Sequence, residues 1–228
     1  MFLNTTDPSE LCAVRCDESI TVQDDARDFF RETVKSAVMS HDFSVIGKLF
    51  DKEKLKPLCN VTATFVTCAN NCPDKPWKGK MLAMYEPLIY MCHGSHFMEH
   101  VDCLHDVYNE NKNACEEQER CQQYRQNAVS DIGLMTLALG GGDSIATNTT
   151  IKSLANHMCG FIECTNECRS PEIIAKCGKQ ANRELLLFYR RLVDTMKLVL
   201  MLYHRALTQQ KETLVYDDHC DRIGAVPV

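Results

Sequence analysis

Residues 92 to 108 read CHGSHFMEHVDCLHDVY and gather four histidines, two cysteines and three acids. Two catalytic chemistries would use such a set. His96, Glu99 and His100 form His-x-x-Glu-His, the pattern in which two imidazoles one helical turn apart hold zinc and the glutamate takes a proton from the attacking water. Cys103, His105 and Asp106 approach the helix of secreted phospholipases A2, where histidine activates water and aspartate helps bind calcium.

Each chemistry needs partners elsewhere. An inverted zincin needs a distant glutamate as third ligand. Glu163, Glu172 and Glu184 are available, but none stands in a recognisable motif. The phospholipase helix reads Cys-Cys-x-x-His-Asp-x-Cys-Tyr. Here the cysteine stands two places before His105 rather than three and four, and Val107 replaces the cysteine before Tyr108. A glycine-rich calcium loop should precede that helix, whereas GGGDS comes after it. No catalysis is therefore expected. A non-catalytic metal site is the softer alternative, since His93, His96 and His100 would share one face of a single helix. The main reading assigns no metal and no cofactor.

The elements that position this stretch follow from the cysteines. The chain has 228 residues, 45% of them hydrophobic, enough to bury about 70% of its unfolded surface in a core. It nevertheless carries 14 cysteines. No Cys-x-x-Cys knuckle occurs, so disulfides rather than structural zinc are expected, and with them a secreted, extracellular setting. Three Asn-x-Thr sequons, at Asn4, Asn60 and Asn148, mark candidate glycosylation sites and agree with secretion. Met1-Phe2-Leu3 is too short for the apolar core of a signal peptide, so a processed chain is expected. The net charge of −6 comes with interspersed signs and no basic block, which argues against nucleic acid or an anionic membrane as partner. The longest apolar run, Leu198 to Tyr203, cannot span a bilayer.

Two segments are related. FVTCANNCPD from Phe65 matches FIECTNECRSPE from Phe161 at phenylalanine, both cysteines and an asparagine. Cys59 answers Cys159, Cys12 and Cys16 answer Cys115 and Cys121, and Cys92 loosely answers Cys177. We expect a tandem duplication, residues 1–107 and 114–228, joined by the polar stretch 108–113.

The periodicity is helical. Val22, Ala26, Phe29, Phe30, Val34, Ala37 and Val38 recur at steps of three and four, as do Leu58, Val61, Phe65 and Cys68. Residues 181–210 should form the longest helix, with Leu185, Phe188, Leu192, Met196, Val199 and Tyr203 on its apolar stripe. Breakers are expected at Pro73–Pro76, Gly79, residues 140–143 and Pro171. The fold class is all-α: a disulfide-stapled bundle of eight to ten short helices in two related halves.

Cysteines four apart lie on one helix face and reach a neighbouring helix. Two such pairs on antiparallel helices give Cys12–Cys72 and Cys16–Cys68, and in the second half Cys115–Cys168 and Cys121–Cys164. Cys59–Cys92 and Cys159–Cys177 would be matching links, leaving Cys103–Cys220 to join the halves.

This cysteine framework, from Cys12 to Cys177, with Phe-x-x-Cys-x3-Cys in each half, resembles the chondroitin proteoglycan 4 domain, a family of secreted nematode proteins, some associated with the egg coat. The resemblance implies an extracellular structural or binding module in the matrix and no catalytic residues. Glycosaminoglycan attaches at Ser-Gly, which this chain lacks. A carrier of a small apolar ligand, lined by the chain's methionines, is the first alternative function. A secreted hydrolase using the helix at 93–106 is the second. Trp77, in a proline-bracketed loop, is a candidate contact residue with an extracellular protein or glycan.

Overall fold

The computed structural model describes residues 11–12, 15–16, 50–73, 76–110, 114–115, 117–141, 144–208 and 218–223. Among these residues the fold is all-α. The amphipathic segment 22–38 lies outside the described residues.

Helix α1, Lys52–Asn71, begins where the Asp51 side chain accepts hydrogen bonds from the backbone N–H groups of Glu53 and Lys54, satisfying two donors that the first turn leaves open. It ends at Cys72, which is extended. Helix α2, Pro76–Met84, comes next. Here the expected breaker works in the opposite sense. Proline at the first helical position needs no N–H and presets φ, so Pro76 starts a helix that contains Trp77 and Gly79. Helix α3, Glu86–Ile89, leads into a π-turn, Tyr90–Gly94, and then helix α4, Phe97–Glu110. Helix α5, Glu119–Gly141, and helix α6, Ser144–Thr208, form a long hairpin, and helix α7, Asp218–Arg222, closes on it.

The expectation of short helices fails at α6. Pro171 lies inside it and does not end it. An interior proline costs about 3 kcal/mol in a helix that can fray around it. Here bridges at Cys168 and Cys177 hold the backbone on both sides. The real break is at Gly178, with φ 89° and ψ 165°, a conformation open essentially to glycine alone. It divides α6 into two arms.

The first arm runs antiparallel to α5. Cys115 pairs with Cys168, Cys121 with Cys164, and Asp131 meets His157, each step along one helix matched by a step back along the other. Gly160 permits this approach, since the Tyr124 ring of α5 occupies the place a Cβ there would need. The second arm receives α2 to α4. Thr195 bonds the Ala83 carbonyl, Arg191 the Glu86 carboxylate, and Tyr90 the Glu184 carboxylate at 2.6 Å.

One apolar cluster gathers Leu55, Leu58 and Val61 of α1 and Phe97, Val101 and Leu104 of α4 with Ile173, Leu185 and Phe188 of α6. The two sequence halves therefore share a core. Burying each such side chain stabilises by about 1.5–3 kcal/mol, before conformational entropy is counted. The stripe expected on the C-terminal helix holds through Leu185 and Phe188 and loosens at Leu192 and Met196. It fails at Val199, which is 39% exposed. The side chain of Tyr203 lies outside the described residues.

All 14 cysteines are paired, in seven bridges. Cys12–Cys72, Cys16–Cys68, Cys59–Cys92, Cys115–Cys168 and Cys121–Cys164 form as the spacing indicates. The two remaining expectations are exchanged: Cys103 joins Cys177 and Cys159 joins Cys220, in place of Cys159–Cys177 and Cys103–Cys220. Helix geometry dictates the exchange. Cys159 and Cys177 lie on one continuous arm of α6, where a rise of about 1.5 Å per residue puts them about 27 Å apart. A bridge needs Cα atoms within about 7 Å. In the first half α1 stops at Asn71, and the chain folds back to bring Cys92 to 5.1 Å from Cys59. The pairing pattern common to the two segments is thus the double staple alone, because beyond it the first segment folds back while the second continues as helix.

Candidate functional site

The histidine-rich stretch is interrupted before it can act as one helix. His93 lies in the π-turn that ends at Gly94, Ser95 is extended, and α4 starts only at Phe97. The Ser95 hydroxyl fixes the corner. It donates to the Tyr90 carbonyl at 3.0 Å and accepts from the Phe97 N–H at 3.1 Å. His93, His96 and His100 therefore do not line one helix face, which corrects the premise of the shared metal site.

Each histidine has its own surroundings. His93 Nε2 lies 3.1 Å from the Cys59 carbonyl. His96 Nδ1 lies 2.8 Å from Glu99 Oε1, with both side chains exposed. That hydrogen bond, and then the opposite charge, raise the His96 imidazolium above its ordinary range and hold the Glu99 carboxyl below its own. His100 Nε2 is buried with no hydrogen-bond partner. His105 bonds Asn109 of the next turn at 2.9 Å. In an inverted zincin both imidazoles must face one cation, with the glutamate beside the water. Here the glutamate is bound to the first imidazole and the second is turned inward.

The three glutamates considered as distant ligands are committed elsewhere. Glu172 pairs with Lys176 at 3.0 Å. Glu184 is buried and accepts from Tyr90 and from Gln180. Burial, then the bond to Glu184 and its charge, push the Tyr90 hydroxyl up to about 12, while the Arg191 guanidinium stacks 3.8 Å over its ring and acts the other way. Glu163 is bound by Arg222 and His219 of α7.

The phospholipase reading also lacks its geometry. Cys103 turns toward α6 to meet Cys177, while Asp106 is exposed beside His105 at 3.7 Å. The Asp102 carboxylate faces Lys52 of α1 at 2.7 Å. These groups do not converge on one cation.

Two polar clusters carry no sequence motif. In the first, Tyr124 Oη lies 3.0 Å from His219 Nε2, and His219 Nδ1 and Arg222 both contact the buried Glu163 carboxylate. Burial alone would raise that carboxyl. Hydrogen bonds from Arg222 and His219, and their charges, outweigh it, so the net direction is downward. The only sequence signal is adjacency: His219 precedes Cys220, and Cys159, the partner of Cys220, lies one helical turn before Glu163, so that bridge carries His219 to Glu163. In the second, Asp131 Oδ2 lies 2.7 Å and Ser153 Oγ 3.4 Å from His157, but both address Nδ1. A nucleophilic relay needs the serine on one ring nitrogen and the acid on the other, so this cluster joins α5 to α6 without activating Ser153.

Of the sequons, Asn60 is exposed on α1. Thr62 is buried, and its hydroxyl donates to the Leu58 carbonyl at 2.8 Å. Asn4 and the side chain of Asn148 lie outside the described residues, as does the side chain of Trp77. Among the described residues no helix is long and apolar enough to cross a membrane. No family model, curated protein or solved structure matches the chain.

Proposed function

We propose that the protein is a secreted, glycosylated structural or binding module of the extracellular matrix that works without catalysis. The observation that carries this reading is the complete pairing of 14 cysteines in a chain that already has a shared apolar core. A core of this size does not need seven bridges to fold. Such a density persists where the surroundings are oxidising and serves a protein that must endure there. Bridges that close loops of 33 to 74 residues stabilise by about 4 kcal/mol each in the chain-entropy model, less any native strain. The resemblance of the cysteine spacing to the chondroitin proteoglycan 4 domain, carried by residues Cys12 to Cys177, favours a matrix setting. The occupied state of Glu99, Glu163 and Glu184 supports a non-catalytic role for the histidine-rich stretch.

The test is expression through a eukaryotic secretory pathway. The chain should appear in the medium with no thiol open to alkylation and should lose mass on treatment with a glycosidase, Asn60 being one of the sites. Replacing His96, His100 and His105 together with glutamine should change no hydrolytic activity toward phospholipid or peptide. Retention in the cytosol with alkylatable thiols, or a hydrolysis that the triple variant loses, would refute the reading.

A further inference from the structure

The two double staples are not alike. In the second, Cys115 precedes α5 in a turn and Cys121 lies within the helix, five residues intervening. In the first, Cys12 and Cys16 lie four residues apart in sequence and bond Cys72 and Cys68, which lie one helical turn apart at the end of α1. The sulfurs of Cys12, Cys16 and Cys72 gather within 4.8 Å of one another, and the fourth, on Cys68, is one bond from Cys16. Among the described residues, no other group of three or more cysteine, histidine or acidic ligand atoms does so.

We infer that the first double staple is a redox-convertible metal site: once both bridges are reduced, Cys12, Cys16, Cys68 and Cys72 hold a thiophilic divalent cation such as Zn2+ or Cd2+. The inference does not depend on the extracellular reading above. Tetrahedral zinc with four sulfurs at about 2.3 Å requires sulfurs about 3.8 Å apart. Sγ of Cys16 and Sγ of Cys72 belong to different bridges and already lie 3.7 Å apart. The bonded pairs have only to open from bonding distance to that same separation. Their Cα atoms, 5.8 and 5.6 Å apart, leave room for this without moving the helices. The surroundings suit a structural site. Cys16 and Cys72 are buried among Phe65, Ala69 and Met81, which excludes competing water. The Lys78 ammonium donates to the Asn70 and Cys72 carbonyls at 3.2 Å and places a positive charge beside thiolates that outnumber the charge of the cation. Cys12 is only half-buried, so a reductant reaches the Cys12–Cys72 bridge from solvent.

The chemistry balances with a dithiol as the named reductant. Two dithiol molecules each deliver two electrons and two protons, opening both bridges to four thiols, and leave as two cyclic disulfides. The cation then displaces the thiol protons to solvent, so binding weakens as pH falls. The second double staple, whose sulfurs do not gather, takes no cation when reduced.

The full chain, reduced with a dithiol under native conditions, freed of reductant without oxygen and given Cd2+, should develop a thiolate-to-cadmium charge-transfer band at about one cation per chain. Alkylation after Cd2+ addition, read by peptide mass spectrometry, should show Cys12, Cys16, Cys68 and Cys72 protected at least tenfold over Cys115, Cys121, Cys164 and Cys168. The band should persist in Cys115→Ser/Cys168→Ser and vanish in Cys16→Ser/Cys68→Ser. The alkylation map needs no substitution, so it decides the matter even if a variant fails to fold. No band, or protection that is uniform or falls on the other cysteines, would overturn the inference.

Discussion

Gly160 offers a sharp test of how α5 and α6 are packed, because the sign of one substitution depends on one neighbour. A Cβ at this position would lie 2.5, 2.6 and 2.9 Å from three ring carbons of Tyr124, closer than real Cβ atoms come to anything. The ring has little room to yield. Its hydroxyl is 3.0 Å from His219 Nε2, and the His219 ring stands edge-on to it at 5.3 Å between centroids. On intrinsic helix preference alone, Gly160→Ala would stabilise by about 1 kcal/mol. Overpacking of this kind costs about 1–3 kcal/mol, and displacing Tyr124 from His219 loses about 1 kcal/mol more. The expected net loss is about 2 kcal/mol, a fall in Tm of roughly 4–8 °C for a chain of this size.

The assay is urea unfolding followed by circular dichroism with all disulfides intact, on the wild type, Gly160→Ala, Tyr124→Ala and the double variant. In the Tyr124→Ala background the obstruction is gone, so Gly160→Ala should stabilise by about 1 kcal/mol. The coupling between the two sites should then reach about 3 kcal/mol, at the upper end for residues in contact. If Gly160→Ala stabilises the wild type, or destabilises both backgrounds equally, the close approach of the helices at Gly160 is wrong.

Three other features give outcomes of their own. Gly178→Ala should destabilise by about 1–3 kcal/mol because φ of 89° is closed to alanine, whereas Gly133→Ala, on exposed helix in open space, should stabilise by about 0.5–1 kcal/mol; parallel urea titrations compare them. Non-reducing peptide mapping should recover Cys103–Cys177 and Cys159–Cys220, and a Cys159–Cys177 peptide would contradict the continuous first arm of α6. The Glu163 carboxyl is lower in the folded than in the unfolded chain, so its stabilisation is present above the unfolded glutamate value of about 4.3 and is lost as pH falls through the folded value. Glu163→Gln should therefore be less stable than wild type at neutral pH, with the gap closing in acid. A pH-independent gap in thermal unfolding would refute the Arg222 and His219 assignment.

What the sequence reveals about this fold divides along a physical line. Local spacing is enough for the stapled helix pairs, since cysteines four apart on a helix must face the same neighbour, and Cys12, Cys16, Cys68 and Cys72 pair accordingly. It is not enough where the outcome depends on whether a helix continues. Pro171 carries a strong local preference for ending a helix, yet the bridges on either side of it override that preference, and Gly178 takes the bend instead. That displacement of a few residues carries Cys177 away from Cys159 and toward Cys103, so a single boundary exchanges two bridges. The histidine-rich stretch shows the same dependence in reverse. Periodicity treats residues 93 to 106 as one helix, but the Ser95 corner, fixed by hydrogen bonds to Tyr90 and Phe97, sends His93 to the Cys59 carbonyl and His96 to Glu99. Of the cluster around Glu163 the sequence shows only that His219 stands beside Cys220, whose bridge to Cys159 brings α7 to α6, and the cluster around Asp131 is invisible there because its members come from different helices and meet only through the register of the α5–α6 hairpin. Within this chain the covalent frame sets that register, and the polar contacts form where the bridges place them.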